Sequence, residues 1–287
     1  MTNKHIPILV KEVLETFEPC KEGVVLDGTL GGAGHAEALL TAYPHLKIFG
    51  SDQDENALTL AKIRLQKFND RIEYFHGNFV EAVKSPVFWD GILLDLGFSS
   101  NQLEAKDYGL SFQNDAFLDM RLCRPAQGKT AWEILCETTD QELAEILKTY
   151  GEIPGSHRIS RKIHEGIFGG KIHNSTLSLA RSLESLSFLR HSSRTHHPAT
   201  LVFQALRIAV NNELENLDRF LKAVTIKLKP KARVAILTFH SLEDRIIKRW
   251  AKDKNMRAVY KKPLLPTDQE RKQNPRARSA KLRVYEA

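Results

Sequence analysis

The stretch from Val24 to Leu40 constrains the fold of this chain more than any other. Its first three residues are apolar and predict a short buried strand that ends at Asp27, while the run from Ala36 to Leu40 predicts a helix. Four glycines lie between them, Gly28, Gly31, Gly32 and Gly34. Glycine lets the backbone approach a ligand closely, and the first N–H groups of a helix have no partner within the helix. The pattern therefore predicts a ligand cradle, with an ordinary glycine turn as the alternative.

The order of residues around the glycines narrows the class of ligand. The spacing is not the G-x-G-x-x-G fingerprint of dinucleotide-binding proteins, which disfavours a nicotinamide dehydrogenase. An acidic residue at the end of the first strand, ahead of the glycines, is typical of methyltransferases that bind S-adenosylmethionine (SAM). Asp27 occupies that position. We therefore predict a SAM site at this loop.

An alternation of strands and helices continues as far as Asp95. Apolar runs at Ile48–Gly50, Ile72–Phe75 and Gly91–Asp95 predict strands, and Ala57–Phe68 predicts a helix. This alternation predicts an α/β fold with a doubly wound, mostly parallel sheet, as in Rossmann-like methyltransferases. In such sheets, ligands bind beyond the carboxyl ends of the strands.

Four side chains fall at those carboxyl ends, Asp27, Asp52, Phe79 and Asp95. We expect Asp52, at the tip of the second strand, to accept hydrogen bonds from ribose hydroxyls. The alternative for Asp52 is a cap on the helix that follows. Because all four positions converge on one edge of the sheet, they favour a shared ligand site over separate structural roles.

The alternation stops at Asn101, and a purely helical pattern follows. Thr139–Glu142 is a capping box that opens one helix, which we expect Gly151 to end. Further helices are predicted at 160–168 and at about 176–186. We therefore predict an inserted all-helical domain at 101–196, within a methyltransferase domain formed by 1–100 and 197–287.

The methyltransferase domain is expected to resume with three elements. These are a long helix on the sheet from Leu206 to Leu221, a strand at Val234–Leu237 and a half-buried terminal strand at Ala280–Tyr285. Ser241, followed three residues later by Asp244, predicts a capping box for the helix Leu242–Trp250.

The net charge of +7 is concentrated near one end of the chain. The segment from Lys248 to Ala287 holds 13 Lys and Arg against 4 Asp and Glu, a net of +9, which leaves −2 for the rest. A basic segment on a near-neutral body predicts a polyanionic partner, with a solvated tail as the alternative.

The three cysteines form no C-x-x-C pair, so neither a disulfide framework nor a zinc knuckle is indicated. Three histidines lie together at His191, His196 and His197, but no thiol or carboxylate stands near them at a ligand spacing, and no metal is expected. The first residues do not form a signal peptide, and no segment is long enough to span a membrane. We therefore expect a cytoplasmic protein that does not associate with membranes.

Five blocks of the sequence resemble one known family across nearly the whole chain. They are DLGFSSNQL (95–103), FLDMRL (117–122), HPATLVFQALRIAVNNEL (197–214), FHSLEDRIIK (239–248) and NPRARSAKLR (274–283). The family is that of the bacterial ribosomal RNA cytosine-N4 methyltransferases called RsmH, formerly MraW. The resemblance implies SAM-dependent N4-methylation of a specific cytidine in the decoding region of small-subunit (16S) ribosomal RNA. Its implied partner is that RNA or the assembling small subunit.

The resemblance also implies a set of cofactor-binding residues. Besides Asp27, they are Ala33, Gly34, His35, Asp52, Phe79, Asp95 and Gln102. The chain departs from the family pattern in the loop, where an arginine becomes Gly32 and a glycine becomes Ala33.

Two candidate roles concern the methyl acceptor. The amino nitrogen of cytosine is a weak nucleophile, and an acceptor for its hydrogens increases its electron density as the new bond forms. Asp95 is the candidate catalytic residue, with a purely cofactor-binding role as the alternative. His240 and Ser241 are candidates to line the pocket of an unstacked base, with helix capping as the alternative.

Four cations near the end of the chain are candidates for contacts with RNA phosphates, Arg276, Arg278, Lys281 and Arg283. An RNA-binding protein that uses SAM only structurally, or not at all, is the competing function. Incorporation of labelled methyl groups into RNA distinguishes the two.

Overall fold

The computed structural model of the protein describes residues 7–98, 108–123, 128–184 and 199–287. The chain forms two compact units. One is built from the residues up to Gly97 together with Leu214–Ala287, and the other from Phe98–Glu213. No helix within the described ranges is long and apolar enough to cross a membrane.

The first unit contains a seven-stranded sheet. Its strands are β1 (Val24–Asp27), β2 (Lys47–Asp52), β3 (Ile72–His76), β4 (Trp89–Asp95), β5 (Leu228–Thr238), β6 (Arg257–Ala258) and β7 (Lys281–Glu286). Their order is β3-β2-β1-β4-β5-β7-β6. Strands β1 to β5 are parallel, and β7 runs antiparallel to both of its neighbours. The predicted doubly wound, mostly parallel sheet is confirmed.

Helices cover both faces of this sheet. They are α1 (Val10–Phe17), α2 (Gly34–Ala42), α3 (Glu55–Leu65), α4 (Phe79–Ala82), α10 (Glu213–Val224), α11 (Ser241–Asp253) and α12 (Asp268–Gln273). Successive side chains of a strand point to opposite faces. Accordingly, Val25 packs in a core with Phe17 and Leu39, whereas Leu26 packs in a second core with Trp89 and Phe220. A strand buried on both faces reads as a continuous apolar run, which is why β1 and β4 were recognisable in the sequence.

The second unit is helical. Its helices are α5 (Ala131–Glu137), α6 (Asp140–Gly151), α7 (Ser156–Phe168), α8 (Thr176–Glu184) and α9 (Ala199–Asn211). They share one core, which includes Leu135, Leu147, Ile163, Leu179 and Leu206. Helix α5 was not predicted from the sequence, although Thr130 and Glu133 form a capping box at its start.

The long helix expected from Leu206 to Leu221 is wrong. The chain forms two helices, α9 and α10, separated by Asn212 in the left-handed region at φ 49°. Phe203 and Leu206 pack in the helical core, whereas Leu217 and Leu221 pack in the core of the sheet. The second boundary of the helical unit therefore lies after Glu213 rather than at 196.

Two further helix ends differ from expectation by a few residues. Helix α6 includes Gly151, and Glu152 takes the left-handed position after it at φ 49°. A Cβ on Gly151 would lie 3.0 Å from the carbonyl oxygen of Leu201, so the glycine serves close packing rather than helix termination. Helix α7 begins at Ser156, four residues before the predicted start.

Arg71 secures the end of α2 to the start of β3. Its guanidinium donates to the carbonyl oxygens of Leu40 and Tyr43, each at 2.8 Å. The last carbonyls of a helix have no partner within the helix, and a cation there also interacts favourably with the helix dipole.

We expect Arg71→Met to lower the free energy of unfolding by about 2 kcal/mol, because it leaves these carbonyls without a charged donor. Arg71→Lys should restore part of the loss. Denaturation by urea measures both, with Lys47→Met, at an exposed cation of β2, as the control. An Arg71→Met protein as stable as this control would contradict the assignment.

Candidate active site

Three carboxylates stand at the carboxyl ends of adjacent strands. Asp52 ends β2, Asp27 ends β1 and Asp95 ends β4, and these three strands are direct neighbours in the sheet. Asp27 pairs with Gly50 of β2 and with Leu93 of β4, so Asp52 and Asp95 each lie two residues beyond it on either side. The structure therefore brings together the three acids that the sequence predicted to share a site.

The glycine loop after β1 is fastened to both neighbouring strands. The N–H of Leu30 donates to the carbonyl of Ser51 at 2.9 Å, on the β2 side. On the β4 side, the N–H of Asp95 donates to Oγ1 of Thr29 at 2.6 Å. Thr29 was not predicted as a site residue, yet it fixes the backbone of Asp95.

Gly28 allows the closest approach in the site. A Cβ at this position would lie 2.5 Å from Cδ2 of Leu94 and 2.9 Å from Cβ of Phe79. Phe79 is the first residue of α4, whose cap is the side chain of Asn78. Its half-buried ring meets Phe220 edge to face, with the centroids 5.2 Å apart. The absence of a side chain at Gly28 thus brings Phe79 next to the loop.

Asp52 holds the loop rather than the following helix. One of its carboxylate oxygens accepts from the N–H of Gly31 at 2.7 Å, and the other accepts from the N–H of Asp54 at 2.9 Å. The cap of α3 is Asp54, which accepts from the N–H of Asn56 at 3.0 Å. The alternative role of Asp52 as a helix cap is therefore excluded. Burial raises the pKa of Asp52, although the two N–H donors favour its ionised form.

Asp27 is the most buried acid of the site. Its pKa is raised to about 7, chiefly by burial and to a smaller extent by the nearby charges of Asp95 and Asp52. The N–H of Thr29, which donates to its Oδ1 at 3.2 Å, acts in the opposite direction. A carboxyl with such a pKa changes its charge near neutral pH, and a nearby cation would favour its ionised form.

His35 connects Asp95 with the segment before α1. Its Nε2 lies 2.9 Å from the carbonyl oxygen of Ile8, and because a carbonyl only accepts, this nitrogen must carry a proton. The other ring nitrogen, Nδ1, lies 3.6 Å from Oδ2 of Asp95. The imidazole is buried, so its orientation is set by this pair of contacts.

The start of α2 is shaped by Ala33, which precedes it in the left-handed region at φ 59°. Its methyl group is fully buried in the core, which offsets part of the cost of that conformation. The N–H groups of Gly34 and His35 follow, ahead of the first bond of the helix, from Glu37 to Ala33. Among the residues that the structure describes, neither N–H has a hydrogen-bond partner, and an anionic group of a ligand would meet both.

Arg64 of α3 supports the same loop and was also missed. Its guanidinium donates to the carbonyl of Gly32 at 2.9 Å and to the carboxylate of Glu37 at 2.7 Å. Arg64 and Gly32 are 32 residues apart, and no local sequence pattern indicates that they are in contact. The hydrogen bond fixes Gly32, one of the two loop positions at which the chain departs from the family pattern.

His240 and Ser241 follow β5, whose Leu237 pairs with Asp95. His240 is the cap of α11: its Nδ1 accepts from the N–H of Glu243 at 3.4 Å, and the Glu243 side chain accepts from the N–H of His240 at 3.3 Å. The cap is thus one residue before the predicted Ser241, and the imidazole is largely buried. Ser241 itself is exposed.

The four predicted RNA-contacting cations are not equivalent. Arg283 forms an ion pair with Asp244, with Nε 2.5 Å from Oδ1, and both side chains are mostly buried. Arg283 therefore cannot neutralise a phosphate without breaking this pair. Arg278 is exposed and Lys281 is partly exposed on β7. The Arg276 side chain and Gln102 lie outside the described residues, as do the three histidines at 191–197.

Together these groups form a site with a defined chemical preference. Three acids favour a ligand with positive charge and hydroxyl groups, and the N–H groups at the start of α2 favour a carboxylate. SAM carries a sulfonium, an ammonium, a carboxylate and ribose hydroxyls, so the donors and acceptors present match it.

Nearly the whole chain is similar to proteins of one family. The model of the MraW methylase family matches residues 2–287. The ribosomal RNA small subunit methyltransferase H of Acaryochloris marina is 41% identical over 284 residues, which cover 98% of this chain and 94% of that protein. The protein of the same name from Synechococcus elongatus is 41% identical over 283 residues, with the same coverage. The solved precorrin-6y C5,15-methyltransferase of Geobacter metallireducens is 9% identical, with a TM-score of 0.46 over 100% of this chain and 92% of that one.

The pKa of Asp27 predicts how stability depends on pH. The pKa of Asp27 is about 7 in the folded protein and about 4 in the unfolded chain, so only the folded protein keeps the proton between these pH values. Stability should therefore fall as pH rises through this range, because the folded state binds more protons. Asp27→Asn removes this dependence and should stabilise the protein at pH 8 by up to about 4 kcal/mol, but little at about pH 4.

Urea denaturation at the two pH values measures the effect. Asp70→Asn, which removes an exposed carboxylate from the same unit, serves as the control. An Asp27→Asn effect of equal size at both pH values would show that folding does not raise the pKa of Asp27.

Proposed function

Because this chain belongs to the MraW methylase family, we propose that it methylates the exocyclic N4 of a specific cytidine in the decoding region of small-subunit ribosomal RNA, with SAM as the methyl donor. The observation that carries the proposal is the family match along residues 2–287, which includes both units. The relatives named for small-subunit ribosomal RNA methylation are matched over nearly their whole length.

The cofactor site is proposed to divide its contacts among the three strand ends. Asp52 would accept from the ribose hydroxyls, as its position at the tip of β2 suggests. Asp27 and Asp95 would face the positive groups. Gly34 and His35 would present backbone N–H groups to the carboxylate, and Ala33, whose own N–H donates to the carbonyl of Leu30, would set the turn that aims them. Phe79 would pack against the adenine, and Gln102 is carried over from the family resemblance.

The chemical problem of the reaction lies with the acceptor. SAM supplies an electrophilic methyl group that needs little activation, whereas the cytosine amino group shares its lone pair with the ring. The protein would contribute chiefly by aligning this nitrogen with the methyl group. Asp95, whose backbone is held by Thr29 and whose carboxylate lies beside His35, is proposed to accept a hydrogen bond from the amino group as its charge develops.

Substrate RNA is proposed to contact both units. Arg278 and Lys281 of the first unit, together with Arg276, would bind phosphates, and the helical unit would help to hold the RNA. A base in structured RNA must leave its stack to reach a buried methyl donor, and Ser241 would border its pocket. The substrate, small-subunit ribosomal RNA or the assembling subunit, places the protein in the cytoplasm.

Asp95→Asn tests the proposed chemistry. The amide keeps the shape of the side chain but is a weaker acceptor, so kcat should fall more than SAM affinity if Asp95 acts mainly in the transition state. A tenfold or greater loss in kcat, corresponding to about 1.4 kcal/mol, is expected alongside a smaller change in the SAM dissociation constant. Single-turnover kinetics and calorimetry measure the two quantities.

Mass spectrometry of the nucleosides from the same reactions identifies the product. Methyl groups at cytosine C5 or at a ribose 2′-hydroxyl would contradict the proposed reaction. Equal losses in binding and rate for Asp95→Asn would leave the reaction standing and make Asp95 a cofactor ligand alone.

The double variant Arg276→Glu with Arg278→Glu tests the basic segment. If both side chains contact phosphates, the slope of log affinity for RNA against log salt should become shallower by about 1.4 to 1.8. SAM affinity should stay the same. Lys11→Glu with Lys84→Glu changes the charge equally at two exposed cations elsewhere in the same unit, and is the matched control. A salt slope identical to that of the control would assign the segment a structural role only.

A further inference from the structure

Charge is segregated within the helical unit. Between Ser156 and Arg181 there are five cations and one anion, whereas the rest of the described unit has four cations and ten anions. The five cations are Arg158, Arg161, Lys162, Lys171 and Arg181. Positive and negative side chains are equal in number in the unit as a whole, so this segment is a local basic surface rather than part of a generally basic domain.

Helix α7 presents one face of this surface to solvent. At 100° per residue, His157, Arg161 and Phe168 fall within about 40° of one another. All three are exposed, while Ile159 and Ile163 on the opposite side are buried in the core of the unit. The face extends over about 16 Å, from the first turn of α7 to its last.

Lys171 lies at the same end of α7 as Phe168. The chain turns back after Gly170, so that the N–H of Lys171 donates to the carbonyl of Gly166 at 2.7 Å. Its side chain is exposed. We call Arg161, Phe168 and Lys171 the α7 face.

The two cations of the α7 face differ from their neighbour Lys162. Lys162 is paired with Glu165 at 2.9 Å, which satisfies its charge. Arg161 and Lys171 have no ion pair or side-chain hydrogen bond with any described residue. An unpaired, exposed cation does little for stability, so these two are available to an anionic partner.

Phe168 is an unusual neighbour for such cations. Its side chain is 78% exposed, and one side of its ring lies near His164, with the ring centroids 6.0 Å apart. A phenylalanine this exposed contributes little to the hydrophobic core, so packing does not account for its presence here. Cations beside an open aromatic ring are the combination that binds unpaired nucleic acid, because phosphates meet the charges and a base stacks on the ring.

From this arrangement we propose that the α7 face binds an unpaired stretch of the substrate RNA, with Arg161 and Lys171 on phosphates and Phe168 stacked on a base. The proposal rests on the proposed function for the identity of the RNA. It assigns the RNA contact of the helical unit to named side chains, none of which belongs to the cofactor site.

The test uses the full-length protein and an unmodified transcript of the decoding region of small-subunit ribosomal RNA. Arg161→Glu with Lys171→Glu should weaken RNA binding at least tenfold at about 100 mM salt and reduce the steepness of its salt dependence. Phe168→Ala should weaken binding by about fivefold or more with an unchanged salt slope, because stacking carries no charge. SAM affinity and the melting temperature should not change.

The matched control is Lys129→Glu with Lys148→Glu, which makes the same charge change at two exposed lysines in the acidic part of the same unit. Variants of the α7 face that bind RNA as well as this control overturn the proposal. So does a loss of binding that appears only on assembled subunits and not on the bare transcript, since the contact would then be with protein.

The outcome also separates the two proposals. If the α7 variants lose RNA binding while the unaltered protein yields no N4-methylcytidine, the face binds RNA and the proposed reaction is wrong. If N4-methylcytidine forms with an unchanged KM for RNA in every variant, the reaction stands and the α7 face is not used.

Discussion

The burial of carboxylates at the strand ends is the constraint around which the sheet-containing unit is arranged. Asp27, Asp52 and Asp95 end adjacent strands, and burial makes the ionised forms of Asp27 and Asp52 costly. Backbone N–H groups offset this cost at Asp52, through Gly31 and Asp54. At Asp27 it is not fully offset, and the pKa rises to about 7. A site that holds excess negative charge in a partly dry environment is prepared for a cation, and the free protein bears the cost until one binds.

Several contacts around the strand ends hold Asp95 and the glycine loop in position. Thr29 holds the backbone of Asp95, while His35 lies beside its carboxylate and is itself tied to Ile8. Arg64 holds the carbonyl of Gly32 from the next helix along the chain. The glycine loop is therefore supported from three sides, and its geometry depends on residues far from it in sequence.

Much of this arrangement could be predicted from the sequence, because it depends on local patterns. The buried strands β1 and β4 are continuous apolar runs, and parallel strands place their following residues at one edge, which is how Asp27, Asp52 and Asp95 were found. Contacts that depend on tertiary packing could not be found this way, as Arg64 and Thr29 show. Predicted helix boundaries were wrong for two reasons. Gly151 allows close packing instead of ending its helix. At Asn212 the chain breaks an apolar pattern that continues on both sides, because the residues before it pack in one core and those after it pack in another.

The break at Asn212 makes the helical unit a separable insertion in the chain. A parallel pair such as β4 and β5 requires a crossover connection, usually a helix, and α10 supplies it immediately after the break. The helical unit therefore enters the chain between a strand and a helix that would be consecutive in an uninterrupted sheet of this kind. Shortening, enlarging or exchanging it would leave the strand order and register intact. The size and surface of the helical unit can thus change without any change at the strand ends, where the three acids lie.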